Sequence, residues 1–230
     1  MRPVQVNIKA LDASAVGRFW AEALGWSAYS PGVTTYVGPP GGLVWPDPVF
    51  VGVDVVPVPE GKPAVKNRVH LDLNPTSVGR LLELGATPVD IGQGEVPWTV
   101  LADPEGNEFC VLEPREVYRD TGPIAAIVVD CVDPRAMARF WGAALDWKLL
   151  HVTDDHAGFR SAGGPFLDFS RSPGVKTVPD RVHLDLLPGR EGEVARVRAL
   201  GALDLDLGQG EVEWSCLTDP EGHEFCVLRP

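Results

Sequence analysis

The chain has 230 residues, 44% of them apolar, and a formal net charge of −12. That is material for ordinary globular cores, in one large domain or two small ones. The acidity repels a phosphate backbone or an anionic membrane surface, no apolar run approaches the roughly 20 residues of a membrane span, and the first residues lack the charged and apolar regions of a signal peptide. Nucleic acid and membrane are thus excluded as partners, and the cytoplasm is the expected location.

In chain order, residues 4–9 alternate as a strand, and Asp12 or Ser14 caps a helix running to about Leu24 before Gly25. Phe19, Trp20, Ala23 and Leu24 form its apolar stripe. Two or three short strands follow within residues 26–57, interrupted by Pro39-Pro40-Gly41-Gly42, and 57–66 is a connecting loop. The order then restarts with a strand at 68–73, a short helix at about 77–84 ending at Gly85, and strands near 87–91, 96–102 and 107–112. Residues 115–122 make a polar linker. The second half repeats the first: Arg139-Phe140-Trp141 matches Arg18-Phe19-Trp20, with Asp133-Pro134 as helix cap and first helical residue. Gly208-Gln209-Gly210-Glu211 matches Gly92-Gln93-Gly94-Glu95, and Trp214 matches Trp98. Each half therefore reads as strand, helix and three strands, performed twice.

The most informative repeat is Arg68-Val69-His70-Leu71-Asp72-Leu73 followed by Asp103-Pro104-Glu105-Gly106-Asn107-Glu108-Phe109-Cys110. It recurs as Arg181-Val182-His183-Leu184-Asp185-Leu186 and Asp219-Pro220-Glu221-Gly222-His223-Glu224-Phe225-Cys226. Strand alternation puts Val69, Leu71 and Leu73 on one face and Arg68, His70 and Asp72 on the other. Asp-Pro-Glu-Gly fits a hairpin turn whose glycine takes a positive φ. The register it sets pairs Ala102 with Glu108, Val100 with Cys110 and Trp98 with Leu112. In the second copy the same register brings Cys216 opposite Cys226. The four cysteines, Cys110, Cys131, Cys216 and Cys226, all lie in apolar stretches and read as buried free thiols. His151, His156 and His223 have no counterparts in the first half and read as surface residues. Each His–Glu pair can converge on a ligand or a metal ion, or serve as a hydrogen-bonded pocket histidine and a satisfied edge carboxylate.

Arg-Phe-Trp ahead of Leu24-Gly25-Trp26 (Leu145-Asp146-Trp147 in the second half), the His-Leu-Asp-Leu strand and Asp-Pro-Glu-Gly-Asn/His-Glu-Phe-Cys together resemble the vicinal oxygen chelate superfamily. Within it they are closest to the glyoxalase-like and bleomycin-resistance-like branch. The resemblance spans nearly the whole chain. It implies an α+β fold of tandem glyoxalase-like domains, about 1–115 and 120–230, each of two βαβββ modules with curved mixed sheets enclosing a cavity. The four modules would be arranged like a fused dimer, in a monomer or a homodimer. Members include metal-dependent isomerases, dioxygenases, thiol transferases acting on antibiotics, and metal-free proteins that sequester drugs.

Carried over by position, His70 and His183 match a first-strand metal ligand, and Glu108 and Glu224 a last-strand ligand that doubles as the catalytic carboxylate. Asn7 and Val128 stand where a further ligand would come from the other first strands. Asn7 offers a weak oxygen and Val128 offers nothing, so neither site has the three protein ligands usual for catalytic zinc or the two histidines of a nonhaem-iron triad. Asn7, Asp72, Trp98, Asp185 and Trp214 are the expected substrate-contacting residues. The resemblance thus implies a glyoxalase-like enzyme of lyase or isomerase type acting on a small molecule with adjacent oxygens, assisted by a divalent zinc, nickel, manganese or iron ion. The alternative is a metal-free, bleomycin-resistance-like protein that binds a small aromatic or antibiotic molecule.

Overall fold

The computed structural model describes residues 1–41, 45–161 and 163–229; Gly42, in the predicted Pro-Gly interruption, lies outside them. Four βαβββ modules follow one another. The first is β1 (Arg2–Ala10), α1 (Ala13–Leu24), β2 (Ser27–Tyr29), β3 (Thr35–Gly38) and β4 (Gly52–Pro57). The second is β5 (Val69–Leu73), α2 (Val78–Glu83), β6 (Thr87–Pro88), β7 (Trp98–Ala102) and β8 (Glu108–Leu112). The third comprises β9 (Ile124–Cys131), α3 (Pro134–Ala144), β10 (Lys148–Val152), β11 (His156–Arg160) and β12 (Phe166–Arg171). The fourth comprises β13 (Val182–Leu187), α4 (Glu193–Ala199), β14 (Leu203–Asp204), β15 (Ser215–Thr218) and β16 (Glu224–Val227).

The modules assemble across the halves of the sequence. One eight-stranded sheet runs β14-β15-β16-β13-β1-β4-β3-β2 and joins the fourth module to the first; the other runs β10-β11-β12-β9-β5-β8-β7-β6 and joins the third to the second. Each sheet is mixed, with antiparallel β1–β13 and β5–β9 pairs at the two seams and parallel β1–β4, β13–β16, β5–β8 and β9–β12 pairs inside the modules. The first half of the sequence thus gives one module to each sheet, and so does the second.

Local chemistry sets the element ends. Asp12 accepts a hydrogen bond from Ala15 N at 2.9 Å and Gly25 closes α1 at φ 65°; Asp133 caps α3 in the same way, with Pro134 in its first turn. The predicted hairpin register holds throughout, Ala102 facing Glu108, Val100 facing Cys110 and Trp98 facing Leu112, with Gly106 at φ 86°. Alternation then sorts the faces. Val6, Ile8, Val53, Val55, Leu71, Phe109, Ile127, Leu184 and Phe225 belong to one continuous apolar core that takes in strands of both sheets and the helices. Trp20 and Phe19 pack edge-on against Phe109 with centroids 5.2 and 6.0 Å apart, and Trp141 and Phe140 repeat this on Phe225 at 5.2 and 6.3 Å. The first helix of each half is thereby fastened to a strand of the other sheet. Among the described residues no helix is long and apolar enough to cross a membrane.

Candidate functional site

The polar faces of the strands are left for a site. In the first sheet, β1 and β13 bring Asn7 opposite His183, β4 sets Asp54 beside Asn7, and β16 sets Cys226 beside Asp185. These five residues share a cavity of about 400 Å³ whose lining also includes Gln209 and the exposed Trp214. His183 and Asp185 are each 4% exposed, Cys226 5% and Asn7 8%. His183 Nε2 stands 3.3 Å from Asp185 Oδ1 and 3.5 Å from Cys226 Sγ. Asn7 Nδ2 donates to Asp185 Oδ2 at 3.4 Å. Among the described residues, Asn7 Oδ1, His183 Nδ1 and Asp185 Oδ1 are buried without a hydrogen-bond partner. Buried polar atoms are nearly always satisfied, so three orphans in one cavity mark a place built for something else to bind.

Burial pushes the Asp54 carboxyl up to about 7, and the neighbouring charge of Asp185 adds to this while His183 opposes it. On β15, half-buried Cys216 lies opposite Cys226, as the hairpin register predicted, with its Sγ 3.6 Å away, and both thiols are free. A hydrogen bond with the Cys226 thiol holds Cys216 below the ordinary thiol range and moves Cys226 above it.

The expected partnership of His with Glu is arranged differently. Glu224 shares the strand face of His183, but its carboxylate receives Lys9 Nζ at 3.0 Å, Lys176 Nζ at 3.1 Å and Asp180 N at 2.9 Å. Burial works against its charge, and Lys9, the Asp180 N–H and Lys176 together overcome this to hold the carboxyl below its usual range. Glu108 is likewise held by Lys62 Nζ at 2.9 Å and Asn67 N at 3.2 Å. Both glutamates open their strands next to a connecting loop, where lysines reach them. Two residues further in, Cys110 and Cys226 take the place beside the aspartates.

In the second sheet His70 Nε2 lies 3.5 Å from Asp72 Oδ1, and Cys110 completes a group like that of His183. Here Val128 faces His70 where Asn7 faces His183. The linker adds Tyr118, which packs against the cluster of Ala126, Val128 and Phe166, its ring centroid 5.5 Å from that of Phe166, and against the cluster of Cys110, Leu112 and Ala125. The stretch read as a polar linker therefore packs an aromatic ring against this sheet. Burial lowers His70 to about 4, with Lys66 assisting, and raises Asp72 to about 7. Trp98 is half-buried and donates to Gln93 Oε1 at 3.1 Å. His223, read as a surface residue, is buried between Asp219 and the Asp130 carbonyl.

Asp54, Cys110 and Cys226 went unrecognised in the sequence. Asp54 carries the same signal as Asp185, one acid between two apolar residues in an alternating strand, valines for the first and leucines for the second. The cysteines passed for core thiols because their neighbours in sequence are apolar.

Two mixed sheets of paired βαβββ modules, with a polar row facing a cavity from otherwise apolar strands, define a small-molecule-binding architecture of the vicinal oxygen chelate type. Residues 5–112 and 126–228 each match the glyoxalase-like domain family, and the chain belongs to it. No curated protein matches the sequence. Among solved structures, a V278E mutant of glyoxalase I from Zea mays is 17% identical with a TM-score of 0.66, the match covering 99% of this chain and 92% of that one. A putative dioxygenase from Bacillus subtilis is 12% identical with a TM-score of 0.65, covering 100% of this chain and 85% of that one. Both share the fold.

Proposed function

We propose that the chain is a glyoxalase-like enzyme acting on a small molecule with adjacent oxygens, with its working centre at His183, Asp185 and Cys226. The carrying observation is the convergence of these buried side chains, with orphaned polar atoms, on one cavity. The donor set suits a divalent cation. Ligands at about 2.0–2.3 Å from a tetrahedral ion stand roughly 3.3–3.8 Å apart, and the His–Asp and His–Cys separations are 3.3 and 3.5 Å. A zinc or nickel ion held there would supply polarisation of the substrate's oxygens. Asp54, whose carboxyl burial raises above the ordinary carboxylate range, gives and takes the proton. Asn7 Oδ1 accepts a hydrogen bond from the substrate, and Trp214 lies along its flank. Glu224 and Glu108 act as ion-paired struts for the loops.

The test is the absorption spectrum of the full chain loaded with cobalt(II) after purification without chelators. A thiolate-to-cobalt charge-transfer band is expected, lost in Cys226→Ser and His183→Ala and kept in Cys110→Ser. No cobalt uptake, or a band that survives Cys226→Ser, would overturn the reading and leave the cavity as the pocket of a metal-free binding protein.

A further inference from the structure

The edge of the second sheet carries a separate group that none of the repeat logic produces. His151 on β10 lies opposite Gly158 on β11, and Gly158 lies opposite Asp168 on β12, so the three form one row across three strands. His156 stands two residues before Gly158 and projects from the same face. Glycine in the middle gives up its side-chain space to its neighbours: a Cβ there would sit 2.4 Å from His151 Cε1 and 2.7 Å from Asp168 Oδ1. The two imidazoles lie parallel, their centroids 5.1 Å apart, and His156 Nε2 is 3.7 Å from Asp168 Oδ1. One donor atom from each of the three residues lies within 4.8 Å of the others. Asp168 is 6% exposed, and among the described residues its Oδ1 has no hydrogen-bond partner. An unsatisfied buried carboxylate oxygen is destabilising, and this one faces two imidazoles. The equivalent row of the first half holds Tyr29, Tyr36 and Asp54. Only the aspartate is common, so the histidines are particular to this half.

We propose that His151, His156 and Asp168 form a second divalent-cation site, selective for a borderline ion of the zinc or nickel type and independent of the cavity in the other sheet. Two imidazoles and a carboxylate are the three protein donors of an open zinc site. The exposure of His151 leaves the remaining positions to water, and a side chain on the surface is free to close the last distance to the ion. With no thiol among its donors, the site is chemically distinct from both His–Asp–Cys groups.

The experiment is zinc equilibrium dialysis of the full chain carrying His70→Ala and His183→Ala, which disables those two groups. One zinc per chain is expected to remain, with affinity falling at least about tenfold when His151→Ala, His156→Ala or Asp168→Asn is added. A background chain that binds no zinc overturns the proposal, as does zinc retained after His151 and His156 are both replaced. Should the background chain lose its circular dichroism, the count is made on the native sequence against His151→Ala alone. One equivalent fewer is then expected, and an unchanged count overturns the proposal. The cobalt–thiolate band of the cavity is unaffected by His151→Ala, so failure of either site is read separately.

Discussion

A carboxyl group buried on an apolar strand is stable in its neutral form, and Asp54 and Asp72 both answer to this. Each is pushed to about 7 first by burial, then by a neighbouring aspartate, Asp185 for one and Asp168 for the other. In the unfolded chain both would titrate near 3.8. Between about pH 4 and 7 these two groups bind more protons in the folded than in the unfolded chain and outnumber His70, which is lowered to about 4 and acts the other way, so stability falls as pH rises through that window. The limiting slope is about 1.4 kcal/mol per pH unit for each group. In chelator-treated protein, urea unfolding at pH 5 and pH 8 should show the native chain losing stability. Asp54→Asn and Asp72→Asn should each flatten that dependence and be the more stable protein at pH 8. A native chain no less stable at pH 8 than at pH 5 would contradict the neutral carboxyls. Only part of this chemistry was legible from the sequence. Alternation identified which residues face away from the core, His70, Asp72, His183 and Asp185 among them. It carried no information on which of those would meet across strands distant in the chain, as Asp54 and Asp185 do.

At the scale of elements, Asp-Pro-Glu-Gly is more than a turn. Asp103 Oδ1 accepts from Glu105 N and Asn107 N at 2.9 Å, while its Oδ2 receives Trp20 Nε1 at 3.2 Å, so the hairpin tip is tied to α1. The Glu105 carboxylate accepts from the N–H groups of Leu11 and Asp12, both at 2.7 Å, just ahead of that helix, and from Arg181 at 3.2 Å. Glu221 repeats the clamp on Val132 and Asp133 at 2.6 and 2.8 Å. Backbone N–H groups at a helix start otherwise lack intrahelical partners, and charged acceptors there are favourable. Glu105→Ala should therefore cost about 1–3 kcal/mol in urea unfolding, with Glu105→Gln in between. A loss within about 0.5 kcal/mol, the range of an ordinary surface change, would remove the clamp from the account. The hairpin itself could be read from Pro, Gly and strand alternation, because those signals are local. The clamp and the lysine partners of Glu108 and Glu224 could not. Each joins segments tens of residues apart, and an exposed glutamate in a turn gives no local sign of what it holds.

For the whole molecule, the repeat in sequence and the sheets in space divide the chain differently. Residues 5–112 and 126–228 are the repeating halves, yet the seams β1–β13 and β5–β9 each join a strand of one half to a strand of the other. A half alone holds two modules whose first strands, β1 and β5, have lost their antiparallel neighbours, and exposed strand edges recruit new partners. Because β5 and β13 are the same strand of the repeat, β1 of one copy of residues 1–115 can take β5 of a second copy in place of β13. The four modules then reassemble as they do in the full chain. Residues 1–115 expressed alone should accordingly sediment as a homodimer. Co-expressed with residues 120–230, they should be recovered together in a one-to-one complex with the secondary structure of the intact protein. A cooperatively folded monomer of residues 1–115 would mean that α1 and the Trp20–Phe109 contact suffice to hold two modules together, and that the seams contribute little to the fold.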